Sequence, residues 1–249
     1  MPAHGQETVC QPEDVLNAVL YPDLVRLGGL ASAMSQAART EEIDLGEIRA
    51  EPGLRGDGRF LSAEVESDRG VISVGLGAAS RVFFVSIWNR GGQPRVWTEG
   101  ATDDLRQVVK AADAWRRGAT LRVLAERFPF MRHSAMARAF EDGDPVAAQW
   151  DLLLSHELYV RERPMLRAAH SEPGLCALFP AISMGSLMLV RDPRDGTSAW
   201  IRIVPLSGGV YRVESAELIE PKREMPSLEE ALQFAVARLA RPDGGSPVR

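Results

Sequence analysis

Residues 59–88 read RFLSAEVESDRGVISVGLGAASRVFFVSIW, and their periodicity decides the fold. From Arg59 to Ser67, the apolar Leu61, Ala63 and Val65 alternate with Ser62, Glu64 and Glu66, the period of a strand with one buried face. Val71 to Leu76 reads as a second strand. Arg81 to Trp88 is apolar on both faces and reads as a central third. Between them, Gly75-Leu-Gly77-Ala-Ala-Ser80 lacks the third glycine of a dinucleotide-binding loop and leads into a strand where a helix should receive the pyrophosphate. It is a turn. Asn89-Arg-Gly-Gly92 reads as a hairpin turn into a fourth strand at Pro94 to Thr98.

A helix follows. Thr102 is the expected N-cap, Asp103 and Asp104 complement the positive end of the helix dipole, and Leu105, Val108, Val109, Ala112 and Trp115 share one face before Gly118. The same order recurs near the end of the chain. Ser186 to Arg191 and Ala199 to Val204 form a hairpin around Asp195-Gly196, and Val210 to Glu214 adds a third strand. Ser227-Leu-Glu-Glu230 is a capping box, after which Leu228, Ala231, Leu232, Ala235 and Leu239 line a helix face as far as Pro242. The copies share little residue identity, so the repeat is one of structure.

The flanks complete the layout. Pro12 to Ala38 reads as one or two helices broken at Tyr21-Pro22 and Gly28-Gly29, and the Gly-rich Glu51 to Gly58 as a loop. Leu121 to Ser183 reads as helical, punctuated by Pro129, Pro145, Pro164, Pro173 and Pro180, with Asp144-Pro145 as a helix start. The expected architecture is α+β, with two antiparallel β-meander-plus-helix halves flanking a central helical block. Its segments are 1–58, 59–118, 119–183, 184–241 and a disordered tail at 242–249.

Composition narrows the function classes. The 249 residues are 45% hydrophobic and 25% charged with a net charge of -5, a globular profile lacking the basic excess of a nucleic-acid binder. Lys110 and Lys222 are the only lysines, so arginine carries nearly all the positive charge. Two cysteines, Cys10 and Cys176, give no disulfide framework, and Met1 to Gln11 lacks the cationic start and apolar core of a signal peptide. The longest apolar run, Val82 to Trp88, is far too short to span a bilayer. These features place the protein in the cytoplasm, away from membranes and nucleic acid.

No complete catalytic, metal or nucleotide motif is present, and no cofactor is expected. His156-Glu157 opens like a zinc helix, but Val160 stands where the second imidazole belongs, so no metal is expected. His133, His156 and Glu157 are the candidate catalytic groups, against the ordinary role of scattered helical histidines as surface or core residues. Cys176, within Leu175-Cys-Ala-Leu-Phe179, reads as a buried structural thiol. Arg161 and Arg163, close to His156, Glu157, Arg167 and His170, could bind carboxylate or phosphate through their forks, or could form a solvated helix face with internal ion pairs. Trp88, Trp97 and Trp115 anchor a core on the bland reading. Trp88 or Trp97, partly exposed beside a sheet edge, could instead dock a peptide side chain.

Several of these runs together resemble one family. Val85-Ser-Ile-Trp88, Trp97-Thr-Glu-Gly100, Thr102-Asp-Asp-Leu105, Ala114-Trp115 with Gly118, Phe128-Pro-Phe130, Trp150, Leu178-Phe-Pro180 and Ser183-Met-Gly-Ser186 are similar to DUF6193, a group of bacterial, largely actinobacterial proteins labelled as natural product biosynthesis proteins. The likeness covers roughly residues 60 to 215. It implies a setting near clusters that make ribosomally synthesised peptides or related metabolites, and brings no catalytic residue with it.

These features admit three functions. The first is a non-catalytic accessory protein that binds a precursor peptide or a partner enzyme, since meanders leave edges to which an extended peptide can add. The second is a peptide-modifying enzyme that uses His133, His156, Glu157 and Arg161. The third is an immunity or self-resistance protein that sequesters a product. A homo-oligomer is compatible with each.

Overall fold

The computed structural model of the protein describes residues 11–50, 58–90, 95–215 and 223–239. They form two compact units, the first ending at Glu141 and the second beginning at Asp142. Each combines helices with one antiparallel sheet, as the α+β reading expects.

In the first unit, three helices precede the sheet: α1 (Pro12–Val15), α2 (Pro22–Leu27) and α3 (Leu30–Thr40). The breaks fall at the expected places, Pro22 opening α2 and Gly28 ending it in the left-handed region at φ 84°. The strands follow in sequence order across a six-stranded meander: β1 (Ile48–Ala50), β2 (Ser62–Ser67), β3 (Gly70–Leu76), β4 (Phe83–Trp88), β5 (Val96–Thr102) and β6 (Met131–Arg132). The start of the first expected strand is instead a helical turn, α4 (Gly58–Leu61). Of the expected loop at 51–58, residues 51–57 lie outside the described residues, as does Gly91-Gly92 of the expected turn; the Asn89 N–H bonds the Arg95 carbonyl at 3.0 Å.

The helix α5 (Leu105–Arg116) is capped by Asp104, whose carboxylate accepts the Arg106 N–H at 2.9 Å. Thr102, the expected cap, closes β5 instead, and its hydroxyl accepts the Asp104 N–H. Asp accepts a helix-end donor as a charge and so displaces a hydroxyl two residues upstream. Two short helices, α6 (Leu121–Arg127) and α7 (Ala135–Asp142), complete the unit.

One face of the sheet is covered. Ala63, Val65, Ile72, Val74, Phe83, Val85 and Ile87 are buried there in one core with Leu30 and Met34 of α3 and Val108, Val109 and Trp115 of α5. Each Val, Leu, Ile, Phe or Met side chain so removed from water contributes about 1.5–3 kcal/mol, which holds the helices on that face. Polar staples tie the ends. The buried Tyr21 donates its hydroxyl to Gly77 O at 2.8 Å and accepts from Val82 N at 3.1 Å, fastening the chain before α2 to the turn between β3 and β4. Arg81 forks onto Asp23 at 2.8 and 2.9 Å and also reaches Leu20 O.

The second unit is a five-stranded meander of β7 (Phe179–Ser183), β8 (Ser186–Val190), β9 (Trp200–Pro205), β10 (Tyr211–Ser215) and β11 (Arg223–Met225), each strand beside the next. Four helices accompany it: α8 (Pro145–Ser155), α9 (Arg163–His170), α10 (Pro173–Cys176) and α11 (Leu228–Leu239). Asp144 caps α8 and Ser227 bonds the Glu230 N–H at the start of α11, both as read from the sequence. The core joins Trp150, Leu166 and Leu175 to Leu187, Leu189, Ile201, Ile203, Val213 and Leu232. The indole N–H of Trp150 is shared by Cys176 O at 2.9 Å and Leu178 O at 3.1 Å, which locks the turn leading into β7.

Residues 119–183, expected as one central helical block, divide between the units and carry two strands. Both are at sheet edges. The strand β6 is two residues long, and β7 contains Pro180, which an edge strand tolerates because its missing N–H is not needed by a further neighbour. The expected disordered tail at 242–249 lies outside the described residues.

Candidate functional site

The first sheet leaves its other face open, and strand register shows what stands there. One row crosses all six strands as Arg49, Glu64, Ser73, Ser86, Glu99 and Arg132, each residue opposite the next. On one side of it lie Gly75, Phe84 and Ala101, and on the other Glu66, Val71, Trp88 and Val96. Thus β4, apolar on both faces, presents Phe84 and Trp88 to solvent on either side of Ser86. Phe84 is 52% and Trp88 39% exposed, unusual for large apolar residues on an interior strand.

These side chains line a groove of about 620 Å³, walled by Phe130 and bounded by Glu99 and Arg132. Two glycines shape it. At Gly100 a Cβ would lie 2.3 Å from the Phe130 carbonyl, so only glycine lets the segment before β6 cross so closely. At Gly75 a Cβ would meet nothing, and with Ala101 on the other flank Phe84 stands between two small residues. The indole N–H of Trp88 donates to Ser86 Oγ at 2.9 Å, which draws the ring back along β4.

Trp97 goes the other way. A bulge between Ile87 and Trp88 pairs Ile87 with Thr98 and Trp88 with Val96, leaving Trp97 as the extra residue. Its ring centroid lies 6.3 Å from that of the buried Trp115, and its indole nitrogen is buried without a partner. Trp97 thus packs against Trp115, whereas Trp88 stands partly exposed in the groove.

A second cleft in this unit, about 420 Å³, is lined by Asp23, Gln36, Thr40, Arg81, Asp103, Asp104 and Arg106. Its Asp23, Arg81 and Asp104 charges are committed to the fold. The Arg81 hydrogen bonds hold the Asp23 carboxyl below its ordinary value, burial opposing them, and the same contact raises Arg81. Asp104 caps α5.

The remaining candidates fall in both units. His133 follows β6 in the first unit, half-buried, with Nδ1 unpartnered. His156 and Glu157 are exposed in the second unit, where His156 Nδ1 accepts the Leu158 N–H at 3.2 Å and caps a single helical turn. Arg163 donates to the His156 carbonyl at 3.1 Å, while Arg161 is exposed. In the second unit, His156 and Arg163 thus meet through backbone rather than as a catalytic pair. Cys176 is half-buried and free, its thiol 3.4 Å from Pro173 O. Among the described residues no group of three or more His, Cys, Asp or Glu is placed to hold a metal ion, and no helix is long and apolar enough to cross a membrane.

Residues 144–249 match the DUF6193 family, described as a family of unknown function. The DUF6193 match begins at the N-cap of α8 and spans the second unit, and its description assigns no reaction, substrate or partner. No curated protein and no solved structure matches the chain.

The aromatic groove is half legible in the sequence. Phe84 and Trp88 were legible as apolar residues on both parities of a strand, and Trp88 as a docking candidate. Glu99, Arg132 and Phe130 were not, because they join the groove only through the pairing of β5 with β4 and β6.

Proposed function

We propose that this protein is a non-catalytic binding protein that holds a peptide on the open face of its first sheet. The carrying observation is the pair of exposed aromatic side chains, Phe84 and Trp88, beside a groove of about 620 Å³ on an interior strand. Large rigid aromatics lose little conformational entropy on binding and dominate recognition surfaces, whereas left to water they are a liability. Polar groups at the groove edge, Glu99 and Arg132, fix orientation in the way small sites combine apolar area with a few charges. The DUF6193 resemblance supports a setting in the cytoplasmic biosynthesis of a ribosomally made peptide, the bound partner being the precursor or an exposed segment of a modifying enzyme.

The test is genetic, then biochemical. Deletion of the gene should remove or alter a peptide product seen by mass spectrometry. The wild-type gene should restore it, and a Phe84→Ala/Trp88→Ala variant, shown folded by circular dichroism, should not. Purified protein should bind the corresponding precursor without changing its mass. Full restoration by the double variant removes the groove from the function, and a mass change produced by the protein alone points to an enzyme.

A further inference from the structure

We infer that the side chain received in the groove is a cation, an arginine or lysine of the bound peptide, stacked on Trp88 and Phe84 and paired with Glu99. This rests on the peptide-binding reading above and gives it a chemistry.

The only donor of the Trp88 indole is used on Ser86 Oγ at 2.9 Å, so a ligand meets its π surface and apolar edge. Phe84 offers the same kind of surface on the other side of Ser86. An aromatic face attracts a cation through its quadrupole, and arginine most often. This chain uses that contact repeatedly for itself: Arg69 lies 3.7 Å from the Trp115 ring centre, Arg95 3.2 Å from that of Phe140, and Arg81 5.2 Å from that of Phe83. Among the described residues no cation stands over Trp88 or Phe84.

The charges agree. Along the row of facing residues, Glu64 accepts the Ser73 hydroxyl at 3.0 Å, and next to it Glu66 is bound by Arg49 and Arg90. Glu99 is exposed beside Ser86 on β4, and no ion pair joins it to Arg132, the residue opposite on β6. Neighbouring strands are about 4.8 Å apart, so a cation lying on the β4 aromatics comes within reach of a carboxylate on β5. A neutral apolar side chain in the same place would strip water from Glu99 and leave it unpaired, and an acidic one would meet like charge. Arg132, one strand further out, opposes a cation and confines it to the β4 side. The net charge of -5 favours approach of a basic segment from a distance.

The test uses the full chain labelled with ¹⁵N and four blocked tripeptides, acetyl-Gly-Xaa-Gly-amide with Xaa as Arg, Lys, Leu or Glu, titrated at low ionic strength. The readout is the Trp88 indole N–H resonance, assigned by its loss in Trp88→Phe. The arginine and lysine peptides should shift it saturably, about tenfold more tightly than the leucine or glutamate peptides. Glu99→Gln should abolish that preference while the other indole resonances stay in place, showing an intact fold. Arg132→Gln should tighten the cationic peptides. Equal or tighter binding of the leucine peptide, or preference for glutamate, overturns the cation and leaves peptide docking standing. No shift with any of the four overturns both.

Discussion

The guanidinium of Arg69 lies 3.7 Å from the centre of the Trp115 ring and joins four parts of the first unit. From the turn between β2 and β3 it donates to Ala119 O at 2.7 Å, approaches Trp115 O, and pairs with Glu141 at 3.0 Å. Glu141 in turn accepts the Leu121 N–H at the start of α6. A planar fork that stacks and bonds in two directions has no lysine equivalent. Arg69→Met should cost about 2–4 kcal/mol of stability in urea denaturation, because it strands a partly buried carboxylate and two carbonyls. Arg69→Lys should recover less than half of that loss. If Arg69→Met is within experimental error of wild type, the joint is ornamental.

Tyr21 offers a cleaner measurement, since Tyr21→Phe removes a single oxygen from a buried position. Gly77 O would lose its donor and Val82 N its acceptor at once. The variant should be less stable by about 1–3 kcal/mol, with the cost coming from unsatisfied groups rather than lost volume. Thermal melting followed by circular dichroism reads it, and an unchanged midpoint would show that water replaces the hydroxyl.

Asp23 makes a pH signature. Arg81 hydrogen bonds hold its carboxyl below the ordinary value in the folded state. The stabilisation is therefore fully present above the unfolded value of about 3.9 and is lost as pH falls through the lower folded value. Asp23→Asn should be less stable than wild type near neutrality, and the two should converge at strongly acid pH, once the lowered folded value has been passed. A difference of the same size at both pH values would show that the pair contributes through packing rather than charge.

The hairpin between β7 and β8 turns on Met184 and Gly185, both in the left-handed region at φ 51° and 74°. Gly185 is suited to it and Met184 is not, and the Met184 side chain, 97% exposed, gains nothing by packing. Left-handed backbone costs an ordinary residue about 1–2 kcal/mol, and asparagine less. Met184→Asn should stabilise the chain by about 0.5–1 kcal/mol. A lower melting temperature in that variant would mean that the methionine makes a contact worth more than the strain.

Long elements with a clean period were legible in the sequence. The strands β2, β3 and β4 and the helices α5 and α11 follow from alternation and capping residues, since a run of six or more residues repeats its pattern enough to be read. The strands β1, β6 and β11 have two or three residues and carry no period. In β7, Pro180 and the flanking prolines argue for helix boundaries, and Met184 gives no turn signal. Only the partner strand, supplying the hydrogen bonds, makes those segments strands.

The sequence by itself determined that the protein is α+β with two antiparallel meanders, each accompanied by a capped amphipathic helix, because those patterns are local. It also placed apolar residues on both parities of β4. What tertiary structure alone decided is which parity α3 and α5 cover, leaving Phe84 and Trp88 outside, and which charges pairing brings beside them. It decided, too, the opposite fates of two tryptophans nine residues apart. One extra residue in β5 turns Trp97 toward Trp115 and leaves Trp88 in the groove, because a side-chain period of two inverts with a single inserted residue.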